Sequence, residues 1–426
     1  MSSSESGASS NIRLFWISCA SLTAVAFNFA AIGAAMFSFR QDFGLTNAET
    51  GWIGGAGIWG IAVAQLVFAP FCDAFGPKRL LWFALAGHLA GAATMIGADG
   101  FAMLFVGALV LSVANGLVEA ACNPLVATIY PERKAVMLNR FHLFFPGGIA
   151  AGGLLIHILA QMDVGGWRGA IAVTLVPTLF YGALLIGTRF PQTEVKSAGL
   201  TVGDTLRALA KSRLLWILLC LMAITASLEL APNRWIPAVL EAGGMAGILV
   251  LVLINGIMAV LRAVAPGAIF ARVPPTLFMG VSCLVTALGL WLLSSADGTA
   301  AVLTAAVIFA FGIALMWPTM IGLVSERVPQ SGAVGLGLMA TVGSAVVGLI
   351  ATPLLGGLVD ARMATADALD PIAESRAGLE AIGVLVPFAI FASFVFLSIY
   401  WRDRTRGGYQ AAVDQARLKA MASSAP

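Results

Sequence analysis

The stretch FPQTEVKSAGLTVGDTLRALAKS, residues 190–212, is the longest polar break in an otherwise apolar chain. It carries Glu194, Lys196, Asp204, Arg207 and Lys211. Working outward from it, six apolar runs lie on each side. Before it they cover about 14–38, 50–72, 79–98, 102–125, 142–162 and 168–189; after it, about 213–233, 246–270, 275–295, 299–324, 332–358 and 380–401. Each is about 20 residues long, which is what a helix needs to cross the hydrocarbon of a bilayer. The chain therefore reads as an all-α membrane protein with twelve transmembrane helices in two bundles. Residues 1–12 form a Ser-rich tail expected to be disordered, 13–189 the first six-helix bundle, 190–212 a linker, 213–401 the second bundle, and 402–426 a tail. Six is an even number, so both halves enter the membrane from the same side. That is the pattern of parallel repeats related by an axis along the membrane normal.

Composition agrees. Of 426 residues 59% are hydrophobic and 11% charged, with a net charge of +3 and a mean hydropathy of +0.93. A soluble domain carries roughly 25% charged residues. The small net charge gives no reason to expect a nucleic-acid partner. The five cysteines (Cys19, Cys72, Cys122, Cys220 and Cys283) fall in or beside apolar runs without metal or disulfide spacing, and read as small packing residues. No paired-aspartate motif, His/Cys cluster, nucleophile motif or appended soluble domain is present, so an enzyme or sensor is not expected, nor a metal or cofactor. The first apolar run is too long for a signal-peptide core and no cleavage site follows it, so it stays as a membrane helix.

Basic residues set the orientation. With the N-terminus inside, 18 of the 24 Lys and Arg lie inside, from Arg13 to Lys419. Arg40, Arg168, Arg234, Arg362 and Arg376 lie outside, and Arg262 falls within a run. Both termini are expected in the cytoplasm of a cell whose inner (plasma) membrane holds the protein.

Within the runs, charges are expensive and mark sites of use or pairing. Glu119-Ala-Ala-Cys-Asn123-Pro124 sets a carboxylate and an amide one turn apart. Glu119 lies about five residues past the middle of the fourth run, roughly 7 Å toward the inside, and Arg262 in the eighth run is at a similar depth. Two arrangements are open: a Glu119–Arg262 ion pair that only neutralises both, or a Glu119 that binds solute hydroxyls or a proton with Arg262 as its tuner. Glu229 falls near the outer third of the seventh run, as an outer gate, a solute group, or a charge snorkelling at a helix end. Asn28, Asn115 and Asn255 lie near mid-depth, as solute contacts or as helix glue. Asn123 precedes Pro124 and reads as a cap of the polar turn. Trp317 precedes Pro318, which frees a carbonyl and permits a bend. Its aromatic face suits either packing at that kink or the apolar face of a sugar ring. His88, His142 and His157 read as hydrogen bonders between helices.

Between the second and third runs, Ala69-Pro-Phe-Cys-Asp73-Ala-Phe-Gly76-Pro-Lys78-Arg79 resembles the signature of the major facilitator superfamily. By residue chemistry Asp73 caps a helix end, Gly76 permits a tight turn, and Lys78 and Arg79 stay in the cytoplasm. The resemblance implies a gating contact between this segment and the eleventh helix that forms when the transporter is open outward and breaks when it opens inward. A narrower set is similar to the fucose permease branch of sugar–proton symporters. It comprises Glu119 to Pro124, Tyr130-Pro131-Glu132, Leu138-Asn139, Glu229 with Trp235, Arg262, Trp317-Pro318-Thr319, and Gly343-Ser344 with Pro353, Gly356 and Asp360. Two positions depart from that branch: Gly33 stands where it has an acidic residue on the first helix, and Phe145-Pro146 where it has a polar sugar contact.

The expectation is a secondary transporter, monomeric by that resemblance, for a small-molecule solute and a proton, with the lipid bilayer as its surroundings. A monosaccharide or polyol is the leading solute, moved by proton-coupled alternating access. A carrier of an anionic solute such as a sugar acid, and a broad-specificity exporter, are the alternatives.

Overall fold

The computed structural model describes residues 2–68, 76–130, 134–191, 212–270, 272–364 and 371–424. Asp73 of the proposed gate, the Tyr130-Pro131-Glu132 motif beyond Tyr130, and the linker from 192 to 211 lie outside them. Among the described residues twelve helices are long and apolar enough to span a membrane. Helices 1–6 are Asn11–Phe43, Asn47–Phe68, Pro77–Ile96, Phe101–Ile129, Arg140–Gln161 and Gly166–Leu185. Helices 7–12 are Arg213–Ala242, Gly247–Val264, Pro275–Ser294, Thr299–Arg327, Val334–Met363 and Ile372–Arg404. All twelve expected spans are present in order. Several overrun their apolar runs, because a helix already nucleated extends through polar flanks at little cost per residue. The first helix begins at Ser2, so from there on the segment expected as a disordered tail is a helical extension. It is tied down where Asn11 donates to the Ile129 carbonyl (3.4 Å) and Arg13 to those of Leu184 (3.3 Å) and Ile186 (3.1 Å).

Helix 7 holds the largest deviation. The expected run ends near Asn233, yet the helix continues through Pro232 and Pro237 to Ala242. The turns after Asn233 are again apolar (Trp235, Ile236, Val239, Leu240) and buried, so packing outweighs the lost hydrogen bonds. This extension moves Glu229 to the middle of the helix and draws Arg234, expected outside, into the protein.

Helix 2 packs on helix 4 and helix 9 on helices 10 and 12 within the bundles. The halves meet where helix 1 faces helix 7, helix 2 faces helix 11, and helix 5 faces helix 8. The helix 2–helix 11 seam needs glycine: a Cβ on Gly55 would collide with the Gly348 carbonyl, and one on Gly348 would stand 2.6 Å from the Gly55 carbonyl. Beside Gly348 the helix widens into a π turn, Val347–Ala351, where Thr352 donates its hydroxyl to the Val347 carbonyl at 2.9 Å.

The two chain ends share one face of the bundle, termed the terminal face. The far face is sealed by polar contacts between the halves. Asp360, near the end of helix 11, accepts from the backbone N–H groups of Asn47 (3.0 Å) and Ala48 (2.8 Å). It thereby caps the positive N-terminus of helix 2. Arg40 at the end of helix 1 pairs with Glu374 at 2.7 Å. Gly348→Leu should hold this seal apart. Overpacking at such a contact costs about 1–3 kcal/mol, a roughly 5- to 150-fold shift in a two-state balance. The expected result is lost transport with faster maleimide labelling of Thr50→Cys; unchanged labelling would show that the glycine seam does not govern closure.

At the terminal face, Tyr409 of the last helix, Tyr409–Ser424, donates to Glu326 at 2.5 Å and lies under the Arg327 guanidinium. Burial and the Glu326 contact hold the Tyr409 phenol above its usual value. Arg327 in turn pairs with buried Asp403 at 2.5 Å. The tail therefore folds as a short helix docked on the end of helix 10.

Candidate functional site

A cavity lies between the bundles, on the terminal side of the far-face seal. Its polar walls come from Asn115 and Glu119 of helix 4, His142 of helix 5, Glu229 of helix 7, Arg262 of helix 8 and Ser344 of helix 11. Phe29, Phe145 and Trp317 give it aromatic surfaces.

Glu119 and Arg262 both reach this cavity but form no pair. Arg262 instead donates Nη2 to Glu229 at 2.9 Å. The longer helix 7 is the cause, since it brings Glu229 to the depth of Arg262. Glu229 is 2% exposed and therefore not a snorkelling end charge. Arg262 also donates Nε to the Ala314 carbonyl at 2.8 Å. In a regular helix that carbonyl would accept from residue 318, which is Pro318 and has no N–H. Helix 10 breaks there into Thr299–Ile313 and Met316–Arg327. The arginine thus satisfies the acceptor that the proline leaves free and neutralises a carboxylate on a third helix. Glu229 Oε2 makes no hydrogen bond among the described residues.

Glu119 is in a different situation. Its polar neighbour is Gln65 of helix 2, whose Nε2 lies 3.5 Å from Oε2, a long contact. No ion pair to it occurs among the described residues.

The asparagines divide by role. Asn28 donates to Asn115 Oδ1 at 3.0 Å, and the same oxygen meets His88 Nε2 at 2.9 Å while His88 Nδ1 meets the Tyr181 hydroxyl at 2.9 Å. This chain ties helices 1, 4, 3 and 6 together, and only Asn115 of it lines the cavity. Asn255 donates to Asn233 Oδ1 (3.1 Å) and to the Leu251 carbonyl (3.0 Å), away from the cavity, as helix glue. Asn123 holds His142 Nε2 at 3.0 Å, and His142 rather than Asn123 faces the cavity. Trp317 lines it, on the first turn after the break. Gly76 has φ 76° and precedes the helix that starts at Pro77, so the tight turn there does need glycine. Lys78 is half-buried and Arg79 exposed at that same terminal face.

Sequence reasoning missed Arg234. It is fully buried and crosses from helix 7 into the first bundle. Nη1 donates to the Phe29 carbonyl at 2.8 Å, and the guanidinium sits 4.0 Å from the centre of the Phe29 ring. The signal was available: an apolar turn follows it, from Trp235 to Leu240.

Comparison with known proteins fits this architecture. Residues 18–359 match the family model described as "Major Facilitator Superfamily". A gallate transporter of Pseudomonas putida is 26% identical over 194 residues, and the match spans 43% of this chain and 43% of that relative. A 2-nitroimidazole transporter of Escherichia coli (strain K12) is 24% identical over 360 residues, covering 80% of this chain and 86% of the relative. Among solved structures, a D-xylose-proton symporter superposes with a TM-score of 0.72 at 14% identity, over 90% of this chain and 97% of that one.

Proposed function

This chain belongs to the Major Facilitator Superfamily, and on that footing we propose that it is a proton-coupled carrier of a small polyhydroxylated solute. The observation that supports it most is Glu119: a carboxylate on the wall of the central cavity, without a basic partner among the described residues. An ionisable group kept inside a membrane bundle marks a solute or proton pathway by default. With no resident cation to fix its charge, Glu119 takes a proton from one side and releases it to the other. Asn115, His142 and Ser344 supply hydroxyl partners, and Trp317 a face for a ring. A monosaccharide or polyol fits these walls, as does a hydroxylated aromatic ring. The motifs similar to the fucose permease branch and the relative named for gallate favour such solutes. We place both termini in the cytoplasm, following the basic residues. The far face is then external, and the state described is closed to the outside.

Solute binds at mid-depth between the halves, which rock around it. On reopening to the outside, the Asp360 and Arg40–Glu374 contacts separate while the terminal-face gate with Asp73, Gly76, Lys78 and Arg79 closes. The test is external pH in proteoliposomes on addition of sugars, polyols and their acids. Alkalinisation driven by a polyhydroxylated compound is expected. If none of them moves protons or exchanges, this reading is wrong.

A further inference from the structure

Arg234 plays no part in the proposed proton pathway, yet it is buried as a charged side chain. It is the largest of the fully buried side chains, at 0% exposure, and no ion pair to it occurs among the described residues. A lone buried cation carries a desolvation penalty that a resident carboxylate would offset. Instead, a single hydrogen bond to Phe29 and the face of that ring hold it. Nε and Nη2 are buried with no acceptor among the described residues. These two nitrogens form the edge of the guanidinium that receives both oxygens of a carboxylate in a bidentate pair.

The socket is built from backbone. A Cβ on Gly57 would lie 3.5 Å from Nη2, one on Gly54 3.4 Å from Cγ, and one on Gly33 4.0 Å from Nη1. Phe29 and Gly57 also line the central cavity, so the guanidinium stands directly behind the cavity wall on its far side. It belongs to the second bundle and its socket to the first. Parting the far face must draw the guanidinium from the socket and turn its unmet edge toward entering solute.

We propose that Arg234 is the anion-recognition residue of this carrier, taking a carboxylate on the transported solute through Nε and Nη2. The inference rests on the solute reading above and narrows it to hydroxylated acids. Arg262 cannot serve, because Glu229 already neutralises it. On closure of the far face the Phe29 carbonyl and ring replace the solute at Arg234, which favours release toward the terminal face. A carboxylate carried with one proton on Glu119 moves no net charge.

The test uses the full chain in proteoliposomes with an acidic exterior, and neutral and acidic members of one skeleton: glucose with glucuronate, galactose with galacturonate, pyrogallol with gallate. The native protein is expected to favour the acid of at least one pair by about tenfold or more, with uptake insensitive to an imposed potassium diffusion potential. Arg234→Gln should remove that preference while the neutral member still exchanges. Gly33→Asp, whose Cβ meets only ordinary contacts there, installs a resident carboxylate and should remove it too. Equal loss of both members in Arg234→Gln would reduce Arg234 to a latch between the bundles and overturn the proposal. Neutral members that drive protons while acids do not would overturn it and leave the carrier reading standing. Silence from every pair would bring down both.

Discussion

Glu119→Gln should abolish concentrative uptake while leaving solute exchange across the membrane intact. The glutamine keeps the shape and much of the hydrogen bonding of a protonated glutamate, but it cannot release a proton. A pH difference of one unit is worth about 1.4 kcal/mol per proton, which sustains about tenfold accumulation of solute in the native carrier. In the variant the accumulation ratio should fall to about one, because the solute is uncoupled from the gradient. Gln65, 3.5 Å away, can bond the amide as it does the acid, so folding should be little affected. Labelled counterflow reads exchange, and accumulation against an imposed pH gradient reads coupling. Persisting accumulation in Glu119→Gln would move the proton site elsewhere.

The second large effect is expected at Glu229 and Arg262. Removing one partner of a buried pair leaves an uncompensated charge and costs about 3–5 kcal/mol. Glu229→Gln and Arg262→Met should each destabilise strongly, seen as a lower thermal midpoint in detergent. The double variant should recover most of the sum, since neither charge remains to be stranded. Recovery will be incomplete, because Arg262→Met also strips the Ala314 carbonyl of its donor, worth about 1 kcal/mol. Adding Pro318→Ala returns a backbone N–H four residues after Ala314 and should restore part of that remainder. Additive losses in the double variant would mean that the two groups are not coupled.

What the sequence disclosed and what it hid follow from where the information resides. The twelve spans and the six-plus-six division depend on apolar length, which one chain states directly. Glu119 was legible because a carboxylate amid Ala and Leu stands out without reference to any partner. The partner of Arg262 was not, since Glu229 lies on another helix and relative depth depends on where each helix ends. Placing that end near Asn233 put Glu229 in the outer third of the run and Arg234 outside. The structure carries the helix through both prolines, and the two residues become a buried pair member and a buried lone cation. Asn28 and Asn255 show the same limit: an amide at mid-depth looks alike whether it faces solute or another asparagine.

The π turn in helix 11 has a consequence for the seal. Gly348 and Gly356 are eight residues apart, and at about 100° per residue an unbroken α-helix would set them roughly 80° apart in phase. One residue absorbed in the π turn brings that offset to about 20° the other way. Both glycines then confront helix 2, at Gly55 and at Asn47, and Asp360 arrives over the first N–H groups of that helix. The widened turn therefore works as a phase corrector. Shortening residues 347–351 by one would twist the far-face end of helix 11 by about 100°, carry Asp360 away from its target, and leave the transporter a door that no longer meets its frame.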